Sequence, residues 1–493
     1  MKRSTIALLL ALLMAVSIVP TVQADYGFEV TVMAALYNPV DMEDEFWKGA
    51  QERLDTKINI EWVPYQEFET KMELLIASND IPELMSVEGA RQPNLERAIA
   101  EGYFWDLKPY LGDFSKYPNM KANIPAMAWD YLAFGDGYYR IPRPRSYINT
   151  GFIVREDWFE MAGYPDISIL TIDEVTDALE KIVNGDYDGN GIADTIGTHF
   201  VEEAGAAFGM WDMMPDAEGK IWPVQFSDGY TDMVAWYADI YSRGLMSEEF
   251  AVIQDAQYDE MVRAGRIAMK FKNIWHCYTM SDEAQRVQPG AKVRPLTVIT
   301  NGDYVASRFD PGYVGALLIS KKVSEERMLA ILDYVEKGLT VEFSDYVTYG
   351  DLGYHHEIVD DAPVLTEIGQ QQINNSSNIP FAIYCPEWFK VDSPVAPKAF
   401  NEEIRGRVQI MYEYGRVNPY QVIASETWST EYGAIRNDFE AMRAKAISGA
   451  IPMDEYRAYV AQMRQDPIVI QAAEEFTASR NSFFPEGNLK LGR

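Results

Sequence analysis

FEVTVMAAL, residues 28–36, reads as a β-strand rich in Val and Met. DMEDEFWKGAQERL (41–54) follows as an amphipathic helix, with Phe46, Trp47, Ala50 and Leu54 on one face. INIEWV (58–63) alternates apolar and polar residues and reads as a second strand. YQEFETKMELLIAS (65–78) is a second helix, and ELMSV (83–87), after Pro82, a short third strand. This β-α-β-α-β opening predicts a mostly parallel sheet with helices on both faces.

The alternation continues with a helix over 92–101 and a strand over 138–141. Pro142-Arg143-Pro144-Arg145 cannot continue a central strand, because proline donates no ladder hydrogen bond. The chain resumes as Tyr147–Val154, so this extended stretch reads as a first crossing between two lobes. Thr171-Ile172-Asp173-Glu174 is a capping box that starts a helix to about Val183. Helices are expected over 230–242, 258–264 and 324–337, and a strand over 266–271. Tyr313–Ser320 is an apolar strand suited to a second crossing, and Asn374–Pro380 is a polar loop before a third. From Asn401 the chain is almost all helix, over 401–414, 427–447, 452–464 and 467–479.

DYDGNGIADT (186–195) has the layout of a calcium loop: hard oxygens at alternate positions and glycine at the sixth. Asp186, Asp188, Asn190 and Asp194 would supply side-chain oxygens, and Ile192 its carbonyl. The twelfth position is Gly197, so the loop is not a complete EF-hand. Three carboxylates this close repel one another unless a cation sits between them. The competing reading is an Asp/Asn/Gly surface turn without metal.

Lys2 and Arg3, the apolar run Ile6–Val19, Pro20 and Val22-Gln23-Ala24 form a secretory signal peptide with cleavage expected after Ala24. No cysteine lies near that cut, and no other apolar run reaches membrane length, so an exported, soluble protein is expected, in the periplasm or at the cell surface. The 493 residues exceed a single small core, which makes two lobes the expectation. A net charge of −32 excludes nucleic acid as a partner and argues against a polyanionic ligand unless a local basic patch overrides it. The two cysteines, Cys277 and Cys385, are able to pair in an oxidising compartment, but sequence does not prove it. Signatures of zinc proteases, serine hydrolases and P-loops are absent, and His355-His356-Glu357 reads as a solvated loop.

Asp80-Ile81-Pro82-Glu83-Leu84, Trp105-Asp106-Leu107, Gly137-Tyr138-Tyr139-Arg140-Ile141-Pro142 and Val154-Arg155-Glu156-Asp157-Trp158 come in this order before the acidic loop. Tyr241-Ser242-Arg243-Gly244-Leu245-Met246 and Ile447-Ser448-Gly449 follow it. Together they resemble the family 1 extracellular solute-binding proteins of bacterial ABC transporters, in the oligosaccharide-binding group that includes the alginate-binding proteins. Thr195 departs from that group, where the metal loop often ends Asp-Glu.

The resemblance implies an α/β fold of two periplasmic-binding-protein-like lobes, with hinge crossings and a helical C-terminal region. The lobes are expected at 25–148 with 312–376 and at 149–311 with 377–493. It implies a non-enzymatic monomer that captures an oligosaccharide in the cleft, delivers it to the permease of an ABC importer, and carries structural Ca2+. Sugar rings pack on aromatic faces, and their hydroxyls take directed bonds. Ligand contacts are therefore expected from Arg143, Arg145, Tyr147, Asn149, Trp211, Trp275, Tyr313 and Trp388, which lie at crossings or in loops. Trp275 and Trp388, each near a cysteine, are expected in neighbouring cleft loops. The alternatives are a secreted carbohydrate-active enzyme using a carboxylate pair, or an oligopeptide-binding protein.

Overall fold

The computed structural model describes residues 26–88, 92–192, 194–212, 215–373, 379–385, 388–418, 420, 423 and 425–483. The signal-peptide run 1–24 and most of the polar stretch 374–380 lie outside the described residues.

Strands β1 (Phe28–Leu36), β2 (Thr56–Pro64), β3 (Leu84–Glu88) and β4 (Ile141–Pro144) join the strand Tyr313–Ile319 in one sheet. Its order is β2, β1, β3, the Tyr313 strand, then β4. The first three are mutually parallel, while the Tyr313 strand is antiparallel to both β3 and β4. The sheet is thus mixed rather than mostly parallel in its pairings, and β4 runs in the same direction as β1. Pro142 and Pro144 lie within β4, where extended loop was expected. The rule against proline holds, because β4 is the edge strand and uses one side only.

Both faces of this sheet are covered. Val30 and Val32 pack with Phe46, Trp47 and Leu54 of helix Glu45–Leu54 and with helix Glu325–Gly338. Met33 and Ala35 face the other way, against Phe68, Met72 and Ile76 of helix Tyr65–Ser78. Asp44 caps the first of these helices, accepting a hydrogen bond from the Trp47 N–H at 2.9 Å. Gly315 pairs with Glu88 on one side and Arg143 on the other. A Cβ there would meet the Val87 carbonyl oxygen at 2.1 Å, so only glycine fits.

A second core surrounds the antiparallel strands Met269–Asn273, Thr150–Arg155 and Val293–Leu296. The capping box forms as expected, with the Glu174 N–H donating to Thr171 Oγ1 and Glu174 reaching back to the Thr171 N–H. The C-terminal helices Glu426–Ile447, Met453–Met463 and Pro467–Phe483 complete this core through Phe439, Ile447, Tyr456 and Val469. Arg443 fastens them by donating to Tyr230 Oη at 2.7 Å.

His355 is not in a solvated loop. It is fully buried, its Nδ1 accepts the Asp351 N–H at 3.0 Å, and its Nε2 meets Gln372 Oε1 at 2.9 Å. Cys277 and Cys385 are not joined in a disulfide: Cys277 is buried in the core and Cys385 is half-buried.

Candidate functional site

Three chain segments far apart in sequence run side by side where the two cores meet. The Arg145 N–H donates to the Gly312 carbonyl at 3.0 Å, and the Asp310 N–H to the Tyr147 carbonyl at 2.7 Å. Ser146 Oγ donates to the Phe389 carbonyl at 2.5 Å, tying the third segment to the first.

Beside this junction lies a cavity of about 420 Å³. One wall is Ser344–Tyr349, at the end of a helix whose Phe343, Tyr346 and Val347 root it in the first core. The facing wall carries Trp275, on a 3₁₀ turn leading into helix Cys277–Val287. Ile274, fully buried, anchors that turn, and its N–H donates to the Asn149 carbonyl at 2.9 Å. The third side is the turn from Trp388 to Val395 together with Arg405.

Each indole is held without being swallowed by a core. Trp388 stands edge-on to Tyr412 at 6.5 Å, with the Arg405 guanidinium 5.7 Å from its ring. Arg405 is locked by Asp392, to which its Nε donates at 2.9 Å. Trp275 meets the His276 ring at 4.5 Å and carries the Lys390 ammonium 4.5 Å above its face. Lys390 adopts φ +62, an unusual backbone for a non-glycine residue and one that concentrates at ligand-handling turns.

A line of side chains marks the carboxyl ends of the first sheet's strands, where open α/β sheets bind ligands. Tyr65 follows β2, Tyr37 follows β1, Glu88 ends β3, Tyr313 opens the antiparallel strand, and Arg145 follows β4. Tyr37 and Tyr65 stack at 4.7 Å. Burial and the Glu88 carboxylate push the Tyr37 hydroxyl up. Arg143 reaches across glycine 315 to pair with Glu88, and also donates to the Ile379 carbonyl at 3.1 Å. Arg145 sits 5.0 Å from the Phe389 ring, and burial beside Arg143 lowers it to about 10.

Of the residues expected from sequence to touch ligand, Trp275 and Trp388 line this same cavity. Tyr313, Arg143, Arg145 and Tyr147 stand at the adjoining junction, and Tyr147 packs edge-on to Phe309 at 6.3 Å. Asn149 is buried and used internally: its Nδ2 donates to the Ser146 carbonyl at 3.1 Å and to Asp310 Oδ2 at 2.9 Å, and its Oδ1 accepts from Asn273 at 3.2 Å. Trp211 is brought to neither place, being 8% exposed within the second core. Tyr37, Tyr65, Glu88, Phe389 and Lys390 were not foreseen. Their signal was position, directly after a strand or beside Trp388.

In the acidic loop, Asp186 accepts the Gly191 N–H at 3.1 Å, Asn190 donates to Asp188 at 2.6 Å and to Asp194 at 3.2 Å, and the Ile192 N–H donates to Asn190 Oδ1 at 2.6 Å. Asp194 also pairs with Arg266 at 2.9 Å. Burial and the neighbouring carboxylates Asp186 and Asp194 hold the Asp188 carboxyl above its usual range. Like charges thus crowd one point, the chemistry that suits a hard cation. Among the described residues, though, no three acidic, His or Cys side chains already form a metal cage.

Comparison with known proteins agrees with this architecture. The chain is 22% identical over 343 residues to the polygalacturonan/rhamnogalacturonan-binding protein YtcQ of Bacillus subtilis (strain 168), covering 67% of each. The alginate-binding protein AlgQ2, crystallised without calcium ion, matches with TM-score 0.67 and 13% identity, over 93% of this chain and 99% of that one. The Streptococcus pneumoniae substrate-binding protein FusA, in complex with kestose, matches with TM-score 0.65 and 15% identity, over 93% and 99%. At such identities the structures establish the shared two-lobe fold. The model of the bacterial extracellular solute-binding protein family matches residues 37–334, and the chain belongs to that family.

Proposed function

We propose that this protein captures an oligosaccharide between its two lobes and hands it to the permease of an ABC importer. The observation that carries the reading is the cavity of about 420 Å³ with Trp275 and Trp388 on its walls. Indole faces suit the C–H faces of sugar rings, and Asp345, Gln370, Thr279 and Ser344 supply hydrogen-bonding groups around them. In this reading residues 25–148 and 312–376 form one lobe, and 149–311 and 377–493 the other. The placement of the Tyr313 strand between β3 and β4 supports that division. Closure about the three junction segments would trap the ligand. Arg145, Tyr147 and Tyr313 contact it from the junction, while Arg143 and Asn149 hold the junction in shape.

The protein acts without turnover, as an exported monomer freed of its signal peptide near Ala24. Calcium, held by Asp186, Asp188, Asn190, Asp194 and the Ile192 carbonyl, stiffens the loop after helix Ile172–Asn184 and takes no part in the cleft. The carboxylate crowding at Asp188 supports this assignment. Calorimetric titration against a panel of glycan fragments, with product analysis, tests the reading. Saturable binding without product is expected; bond cleavage, or binding of oligopeptides in place of glycans, would overturn it.

A further inference from the structure

The charged side chains on the cavity walls are not alike. Asp392 is held by Arg405, whose Nε donates to it at 2.9 Å, and Glu283 by Arg263, whose Nε donates at 2.7 Å. Lys390 lies over the Trp275 and Phe389 rings. Asp345 stands apart. It lines the cavity from helix Val341–Tyr349, is exposed, and makes no hydrogen bond or ion pair with any described residue. Partial burial and the Glu342 carboxylate on the same helix hold its carboxyl above the usual range. That is the response of a negative charge with no cation beside it.

Tyr349 follows one helical turn later and lines the same wall. Its ring packs against His356, and its hydroxyl makes no hydrogen bond with a described residue. On the third side, Ser393 is 2% exposed and its hydroxyl has no partner among the described residues. The wall thus offers a carboxylate and a phenol, beside two indoles, that the protein does not itself use.

We propose that the ligand of this cleft is an uncharged oligosaccharide, that Asp345 and Tyr349 bind its hydroxyls, and that Asp345 turns away glycans bearing sugar carboxylates. The inference rests on the reading that the cleft binds carbohydrate and names the class. An ionised carboxylate only accepts, so it suits sugar hydroxyls, which donate, and such bonds are charge-assisted. A uronate ring brings a like charge to the same wall and has no proton to give it from its own carboxylate. The net charge of −32 acts in the same sense on any anionic glycan that approaches. Arg405, the guanidinium on this wall, is already occupied by Asp392.

The test is calorimetry with matched trisaccharides that differ only at the sugar carboxyl: galactotriose against trigalacturonate, and mannotriose against trimannuronate. In the wild type the neutral member of a pair is expected to bind at least roughly tenfold more tightly than the acidic one. Asp345→Asn keeps the shape and removes the charge. It should weaken the neutral probe by roughly tenfold and tighten the acidic one, closing the gap. Opposite movements of the two probes are something a merely structural residue would not produce. Tyr349→Phe should weaken the neutral probe by roughly threefold, with the melting temperature little changed. An acidic probe that binds the wild type as tightly as its neutral partner would overturn the neutral assignment and leave oligosaccharide capture standing. So would an Asp345→Asn variant that leaves the ratio of the two affinities unchanged, whether both fall together or neither moves. Failure of these probes and of a wider panel of neutral and acidic glycans would overturn both.

Discussion

The acidic loop at 186–194 and the Trp275–Trp388 cavity are built in opposite ways. The loop gathers its oxygens from nine consecutive residues, closes on its own backbone and stands largely exposed. The cavity draws its walls from 275–283, 344–349, 365–373 and 388–405, which no local pattern connects. The loop's shape is set by turn chemistry, so removing one member should leave the rest of the molecule in place. The cavity is set by how two cores meet, so under the proposed function its residues should answer to ligand more than to local stability.

The sharpest way to break this contrast compares tryptophans. Trp47 is fully buried between helix and sheet, packing edge-on to Phe46 and Trp62. Trp47→Ala should cost about 3–5 kcal/mol of stability, read by denaturant unfolding, and leave the affinity of the folded fraction unchanged. Trp388→Ala should do the reverse, weakening glycan binding by roughly tenfold to a thousandfold while the melting temperature moves far less. If Trp388→Ala unfolds the protein as readily as Trp47→Ala, the cavity tryptophan is an ordinary core residue.

The loop sharpens the comparison from the other side. Chelation should lower the melting temperature without abolishing binding in the protein that stays folded. Asp188→Ala should mimic it, lowering calcium affinity in a direct titration. Loss of all glycan affinity in chelated, folded protein would place the metal in the cleft instead.

The smallest effect is a pH dependence. Burial, aided by Lys270, lowers His199 to about 4 from an ordinary 6.5, and its Nε2 accepts the Phe271 N–H at 3.1 Å. The unfolded chain therefore binds a proton that the folded chain does not between those values. Its contribution to stability is present above pH 6.5 and is lost as pH falls toward 4. His199→Gln should flatten the acid limb of the unfolding midpoint plotted against pH, whereas an unchanged slope would assign that limb to other groups.

Much of the architecture was legible because its signals are local. The β-α-β-α-β opening shows in alternating periodicity, and the Thr171–Glu174 capping box in residue type alone. What escaped depends on partners distant in sequence. Pro142 and Pro144 lie in a strand because β4 happens to be an edge, which neighbours decide. His355 looks solvated in sequence and is buried because Gln372 meets it. Trp211 sits in a polar stretch yet packs in the second core. Tyr37 and Tyr65 acquire a shared role only once β1 and β2 pair in parallel.

The most direct test of the central claim follows indole fluorescence during glycan titration in the wild type, in Trp275→Phe and in Trp388→Phe. If both indoles face one ligand, the wild type shows a saturable spectral change, each single variant shows a reduced one, and the double variant loses it. A full-sized change in the double variant, or no change in the wild type where calorimetry reports binding, would contradict the placement of the ligand between these tryptophans.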